Sequence, residues 1–474
     1  MSKVRVCFWF DVEDYINPES DDALRSLLDI FEQRQARGTW KLVGEKFRVL
    51  QSRGRKDIIE ALHRQDVGYH TDNHSQHPTI SEYVKGLGWQ AGVAEFAARE
   101  VRGFEELRAE FGHISCYGQP GGAWAPQAFP VLSQWGIPMY LDEGGHLGLG
   151  KQPFWFQNVL TVFNLQENCL RVDLRPADKA QALAKAKERF QAAVDRLLPT
   201  GGLISIYYHP CEFATSEFWD GVNFSYGHNT PRNQWRGAPL LPKGEPEARL
   251  SVFAGLLDLA LEHPDVEVVD ATQLLRGYRQ QEPNGLLPTV ELAQLAAGMD
   301  GKISHAHSSV GVLSPAQLYS GLIQALATWA ERGEAPAMIA LTSPLGPTTR
   351  AVSEENGQAT VAVIGAAARR ALAEMCASNH MPASLTMNGR TIGSATSFGA
   401  MATALDMIQK QPSAGSASES TVSFKPAHLA LEAQVGRDSP AMWSWAIFPE
   451  GFSAPDLMEL TRLQAWTMKP ARPQ

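Results

Sequence analysis

Hydrophobic residues in this chain fall into short runs that alternate with segments of helical period. Residues 4–10 are β-branched, aromatic and almost wholly apolar, the pattern of a strand buried on both faces. The run stops at Asp11-Val12-Glu13-Asp14. Residues 22–36 then carry Leu24, Leu27, Leu28 and Phe31 at helical spacing. The same reading gives strands at 38–44, 67–69, 116–118, 138–141, 203–208 and 266–269. It gives helices at 57–65, 89–111, 179–198 and 249–262. Alternation of this kind predicts an α/β barrel, whose functional groups gather at the carboxyl ends of the strands. Asp11, Glu13, Asp14, His70, His74, Asp142 and His209 all directly follow strands, so one rim can hold them all. Helix capping accounts for one or two such residues, but not for three histidines together with these carboxylates.

The pattern changes near residue 280. Residues 280–285, Gln-Gln-Glu-Pro-Asn-Gly, read as a linker. It divides the chain into a barrel, 1–280, and a smaller, mainly helical accessory domain, 290–474. The second part is rich in Ala, Leu, Ser and Thr. Ala325-Leu326-Ala327 precedes Pro336 by the interval at which Ala371-Leu372-Ala373 precedes Pro382, an offset of 46 residues. An alternating segment follows each proline, so each unit reads as helix, turn and strand, a two-copy repeat. Residues 410–421 are rich in Ser, Gly and Ala and read as a loop.

Composition narrows the function classes. The chain has 474 residues, 44% hydrophobic and 20% charged, with a net charge of -9 and no basic run. A nucleic-acid partner is excluded on that balance. Five scattered cysteines without C-x-x-C spacing fit reduced thiols in a cytoplasm. The apolar run ending at Phe10 is too short for a signal-peptide core, and no run reaches the length of a membrane span. The expectation is a cytoplasmic protein with no membrane partner, for which a homo-oligomer is compatible.

The chemistry concentrates in residues 68–78, Gly-Tyr-His-Thr-Asp-Asn-His-Ser-Gln-His-Pro. His70 and His74 are four apart, and one turn of helix would put both imidazoles on one face. Two imidazoles and a carboxylate leave positions open for water and a substrate carbonyl, as a catalytic zinc site needs. His77 reads as a residue that caps the loop and Cys211 as a buried bystander. Glu212, Asp220, Asn223 and His228 lie in a Gly/aromatic loop suited to walling one side of a pocket.

Five motifs stand in order: Phe10-Asp11-Val12-Glu13-Asp14, His70-Thr71-Asp72-Asn73-His74, Gly118-Gln119-Pro120-Gly121, Asp142, and Ile206-Tyr207-Tyr208-His209-Pro210. Over roughly residues 4–275 the chain resembles the polysaccharide deacetylase superfamily, the NodB-homology or carbohydrate esterase family 4 domain. Its Asp-Val-Glu-Asp spelling is similar to that of a divergent branch. The resemblance implies a distorted (β/α)7 barrel, a divalent metal, often zinc, and hydrolysis of an N-acetyl or related C–N bond. Carried over, Asp11 is the general base, His70 and His74 are metal ligands, and His209 is the general acid. The third ligand stays open. Asp11 and Glu13 share a strand face, which favours Glu13; a strand ending at Asp11 lets Asp14 swing in, and Asp14 is preferred.

Substrate-binding candidates are the Gly121 amide toward an oxyanion, Trp124 as a stacking ring, Tyr208 and Asp142. Two positions depart from the family pattern. Gly118 stands where an Arg usually buttresses the base, which moves that job to Arg171, Arg175 or Lys41. Gly-Gly-Ala-Trp after Pro120 replaces the usual aromatic, so the cleft must differ. The expected activity is metal-dependent deacetylation of an N-acetylated sugar or polysaccharide. The alternatives are allantoinase-like hydrolysis of a small cyclic or linear amide and, from another class, a non-catalytic carbohydrate-binding protein. The C-terminal units bear a weak likeness to pseudomurein-binding-type repeats.

Overall fold

The computed structural model describes residues 3–279, 285–351, 356–410 and 417–471. Most of the linker expected at 280–285, and half of the loop expected at 410–421, lies outside the described residues. The sheet is built around β1 (Val4–Val12). Val4, Val6, Phe8, Phe10 and Val12 join the apolar layer under the helices, while Cys7 and Trp9 enter a second cluster inside the barrel. A strand that alternates between two apolar layers needs no polar face, which is why it reads as a continuous hydrophobic run.

The other strands are β2 (Thr39–Leu42), β3 (Asp66–Tyr69), β4 (Tyr117–Gly118), β5 (Met139–Leu141), β6 (Phe154–Phe156), β7 (Val159–Val162), β8 (Cys169–Leu170), β9 (Gly202–Tyr208) and β10 (Val266–Val268). Their order is β6-β7-β5-β4-β3-β2-β1-β9-β8, with β10 beside the start of β1. The pairings from β7 through β5, β4, β3, β2 and β1 to β9 are parallel, seven strands in all. Helices α1 (Pro18–Gln33), α2 (Gly44–Ser52), α3 (Lys56–Leu62), α4 (Ile80–Val84), α5 (Trp89–Phe111), α6 (Ala128–Gln134), α7 (Lys179–Leu197), α8 (Gly221–Phe224), α9 (Glu245–Glu262) and α10 (Ala271–Arg279) complete it. β8 and β10 add parallel pairings to β9 and β1. The architecture is a distorted (β/α) barrel. The antiparallel β6–β7 hairpin and α2 had no counterpart in the sequence reading.

The C-terminal region is mainly helical, with α11 (Thr289–Ala297), α12 (Pro315–Arg332), α13 (Val361–Ser378), α14 (Ser394–Lys410) and α15 (Pro455–Gln464). Short strands Met338–Ala340 and Ser384–Met387 follow Pro336 and Pro382. The last strand, Lys469–Pro470, pairs antiparallel with β6 and so extends the barrel sheet. Trp124 Nε1 donates to Thr461 Oγ1 at 2.8 Å, and the Gln157 amide donates to Thr467 Oγ1 at 2.7 Å. One continuous apolar core runs through both regions. Among the described residues no helix is long and apolar enough to cross a membrane.

Glu100, buried on α5, fixes the start of the histidine loop. Its carboxylate accepts from Tyr69 Oη at 2.7 Å, from the Asp72 amide at 2.8 Å and from Tyr83 Oη at 3.2 Å. Burial pushes its pKa from 4.5 up to about 7. The folded state therefore holds a proton that the unfolded chain releases. Stability is lost as pH rises from about 4.5 to about 7. Glu100→Gln is expected to flatten that slope, measured as urea midpoints across this window; an unchanged slope refutes the assignment. A fragment of residues 1–280 would leave Trp124 and the β6 edge without their C-terminal partners. It is expected to aggregate or lose its cooperative transition in size-exclusion and thermal melts. A monomeric, cooperatively melting fragment would establish that the barrel folds alone.

Candidate metal and acid–base site

β1 runs to Val12, so its alternation carries past Asp11 and places Glu13 on the face of Asp11. Glu13 Oε2 lies 3.1 Å from His70 Nε2 and 2.8 Å from His74 Nε2, and the three residues are buried. They form a group with ligand atoms close enough to hold one metal ion. Asp14, the preferred third ligand on sequence grounds, is not among them. The extra strand residue turns it away: its Oδ1 accepts from the Ile16 and Asn17 amides at 2.9 and 3.0 Å, and its Oδ2 accepts from Ser20 Oγ. Asp14 thus closes the turn that leads into α1.

The two histidines do not sit on a helical turn. Residues 70–79 are irregular, with Thr71 and His74 in the left-handed region at φ 68° and 52°. The loop still brings the rings to a centroid separation of 4.9 Å. His70 Nδ1 donates to the Gly118 carbonyl at 2.9 Å. His74 Nδ1 is 2.6 Å from Ser75 Oγ, and that hydroxyl donates to Asp220 Oδ2 at 2.8 Å. With each Nδ1 so held, both Nε2 atoms face Glu13, and His70 Nε2 is in hydrogen-bond contact with its Oε2. Trp219 Nε1 donates to Glu13 Oε1 at 2.8 Å and leaves Oε2 facing the imidazoles. His74 Nε2 has no hydrogen-bond partner in this buried setting. Such a donor set fits a divalent ion with open coordination positions.

Asp11 and His209 stand beside this group, with His209 Nε2 3.5 Å from Asp11 Oδ2. Burial alone would raise the Asp11 pKa, but Lys41, His70 and His209 hold it well below the usual carboxylate range. Burial acts against the His209 imidazolium, yet Glu13, Asp11 and Glu212 push its pKa up to about 10. Glu212 Oε2 lies 2.9 Å from His209 Nδ1, and Arg171 pairs with the other Glu212 oxygen. Lys41 Nζ is 2.5 Å from Asp11 Oδ1. A Cβ at Gly118 would lie 2.6 Å from Lys41 Cδ and Nζ, so the glycine makes room for the lysine. Lys41 is therefore the cation that pairs with Asp11; Arg171 serves Glu212, and Arg175 pairs with Asp173.

A cavity of about 830 Å³ opens over these groups, lined by Gly121, Asp142, Tyr207, His209, Asp220 and Trp445 among others. Burial pushes Asp142 up to about 7 and Asp220 up to about 6. Gly121 and Asp142 thus lie where expected. Trp124 does not: it is fully buried, stacks on His146 at 5.3 Å and is a core residue. Tyr208 faces the helix layer, and its hydroxyl bonds the Val172 backbone. Strand alternation gives the pocket to Tyr207, whose hydroxyl donates to Glu143. His77 holds the loop, 2.7 Å from Glu82 Oε2 and 2.9 Å from the Phe224 carbonyl. Cys211 is buried outside both ligand groups. No spacing ties Ser75 or Trp445 to the motifs; with Trp443 and Phe448, Trp445 reads in the sequence as part of a packed final segment, and the structure places it in the pocket lining.

No family model matches the chain, and no curated protein does. Among solved structures, a putative polysaccharide deacetylase from Mycobacterium smegmatis is 16% identical, with TM-score 0.38, over 59% of this chain and 91% of its own. Puue allantoinase is 11% identical, with TM-score 0.40, over 60% and 93%. A CE4-family pseudoenzyme from Bacillus anthracis is 14% identical, with TM-score 0.31, over 58% and 66%. At these values the site residues themselves carry the functional argument.

Elemental analysis after zinc loading should find stoichiometric metal in the wild type and in Asp14→Ala. The latter should lose about 1 kcal/mol of stability, as for a turn cap. Glu13→Gln, His70→Ala and His74→Ala should each lose the metal. Asp220→Asn acts one step removed and should weaken metal affinity by roughly 10–100-fold by calorimetry. Full metal retention in Glu13→Gln would return the third-ligand role to another group.

Proposed function

We propose that this protein is a metal-dependent hydrolase of a C–N amide bond, with removal of an N-acetyl group as its reaction type. One observation supports this above the others: the Glu13–His70–His74 group and the Asp11–His209 pair share a single pocket. A binding module has no use for a buttressed carboxylate and a buried imidazolium beside a ligand triad. Glu13, His70 and His74 would hold the ion. A divalent ion there supplies Lewis-acid polarisation of the carbonyl and lowers the pKa of water.

The chain's own groups handle the protons. Ionised Asp11, oriented by Lys41, accepts the proton of the attacking water as its oxygen bonds to the carbonyl carbon. Protonated His209, held by Glu212, delivers its Nε2 proton to the nitrogen as the C–N bond breaks. The products are a carboxylate and a free amine. The Gly121 amide lies at the pocket wall, where a backbone donor can meet the developing oxyanion.

Zinc-loaded protein should release acetate from at least one member of an N-acetyl substrate panel, and chelation should abolish the release. Asp11→Asn should abolish turnover and retain the metal. His209→Ala should retain the metal and lose about 10²-fold or more in kcat, the usual scale of general acid catalysis. Turnover, metal content and folded fraction measured on the same samples decide the matter. Wild-type turnover per folded, metal-loaded His209→Ala molecule would remove the acid from the scheme. Metal binding with no hydrolysis across the panel would favour the carbohydrate-binding alternative.

A further inference from the structure

Residues 436–446 of the C-terminal region form one wall of the catalytic pocket. The wall is tied at both ends. The Gly436 amide donates to the His146 carbonyl at 2.7 Å, and Arg462 donates to the Gly436 carbonyl at 2.9 Å. Asp438 accepts from Trp443 Nε1 at 2.6 Å and from Ser453 Oγ at 2.9 Å. At the far end the Tyr226 and Gly227 amides donate to the Ala446 and Ile447 carbonyls at 2.9 and 3.0 Å. The segment therefore runs from the loop after β5 to the loop after β9, across the carboxyl ends of the strands.

Trp445, half-buried, is the residue of this wall that meets His74 and Gly121. A Cβ at Gly121 would lie 2.3 Å from the indole Cε2, so only glycine, here at φ 46°, lets the ring lie so close. The ring meets His74 edge to face, with centroids 5.7 Å apart at 89°. It lines the cavity beside Asp11, Glu13 and His209. The cavity volume, about 830 Å³, falls in the range of roughly 300–1,000 Å³ that takes one small ligand. An open groove would let a polymer enter on one side and leave on the other. Here one side is occupied by a segment hydrogen-bonded to two loops of the barrel.

We infer that Trp445 is a substrate-binding residue that confines the reaction to amides on compact molecules or on chain ends. The inference rests on the amide-hydrolase reading above and names the substrate class for that site. The indole supplies a flat apolar face against the bound molecule and blocks the path that the interior of a chain would need.

The test uses the zinc-loaded full chain, Trp445→Ala, and Trp445→Phe as a variant that keeps a ring against Gly121. Circular dichroism and melting confirm folding of each. The panel sets compact amides (N-acetylglucosamine, an N-acetyl amino acid and a cyclic ureide) against the N-acetylglucosamine pentamer. The sites of pentamer cleavage are mapped by mass spectrometry. The wild type is expected to act on a compact amide and to leave internal residues of the pentamer intact. Trp445→Ala should raise KM for the compact amide about 10-fold, the order of one lost stacking contact, with kcat nearly kept. It should also gain internal cleavage, and Trp445→Phe should fall between. Calorimetric binding of the same ligands is measured alongside and does not depend on turnover. Internal cleavage by the wild type, or pentamer binding no tighter in Trp445→Ala than in the wild type, overturns the inference. Failure of the wild type to hydrolyse any amide counts against the hydrolase reading instead, and the binding comparison still decides the role of Trp445.

Discussion

The buried contact of Glu13 with His70 and His74 sets the terms for this site. Glu13 Oε2 lies within 3.1 Å of two imidazole nitrogens. Both Nδ1 protons are already committed, one to the Gly118 carbonyl and one toward Ser75. Burial works against the Glu13 carboxylate, yet His74, His209 and His70 hold its pKa well below the usual carboxylate range. The three residues are held by more than their charges. Trp219, Ser75 and Asp220 hold them in place. Fixed orientation of this kind wastes stability in an empty protein and is favourable around a divalent cation.

The same logic of fixed charge extends to Asp11 and His209. Asp11 lies between Lys41 and His209, and His209 lies between Asp11 and Glu212. Each charge has an opposite charge on both sides, so both ionised forms persist in a buried setting where desolvation opposes each. A carboxylate so stabilised is a weaker base than a free one. Its value lies in position, since it stands ready beside the ligand triad without rearrangement. Gly118 and Lys41 belong to one solution: the barrel takes its buttressing cation from β2, and the glycine on β4 is the space that cation fills.

Much of this was legible in the sequence. Strand β1, the histidine pair, Asp11 and His209 follow from hydrophobic runs ending in polar residues, a signal that survives without neighbours. Glu13 against Asp14 turned on a single residue of strand length, and boundaries are where local pattern is weakest. Tyr207 against Tyr208 was the same question of parity on β9, where both faces are apolar enough to accept a tyrosine. Trp124 looked like a sugar-stacking ring because it follows a Gly/Pro loop; tertiary packing against His146 and Thr461 makes it core. Spacing also suggested a helical turn for His70 and His74, whereas a loop with two left-handed residues does the work. The place of Trp445 in the pocket left no local trace, since it arises from a contact with Gly121 more than three hundred residues away.

That distance has a physical consequence for how the site comes into being. The strand Lys469–Pro470 joins β6, α15 reaches Trp124 through Thr461, and residues 436–446 bridge two barrel loops. Contacts of such long sequence separation form late, because loop closure must precede them. The ligand triad and the acid–base pair lie wholly within the first 280 residues, whereas the pocket around them needs the last 40. The charged cluster and the wall over it thus come from different parts of the chain. A weakened C-terminal contact would alter the wall and, through the shared core, the barrel beneath it. Trp445 against Gly121 is the point where the two are joined: the close approach that shapes the pocket also covers the loop proposed to bind the oxyanion.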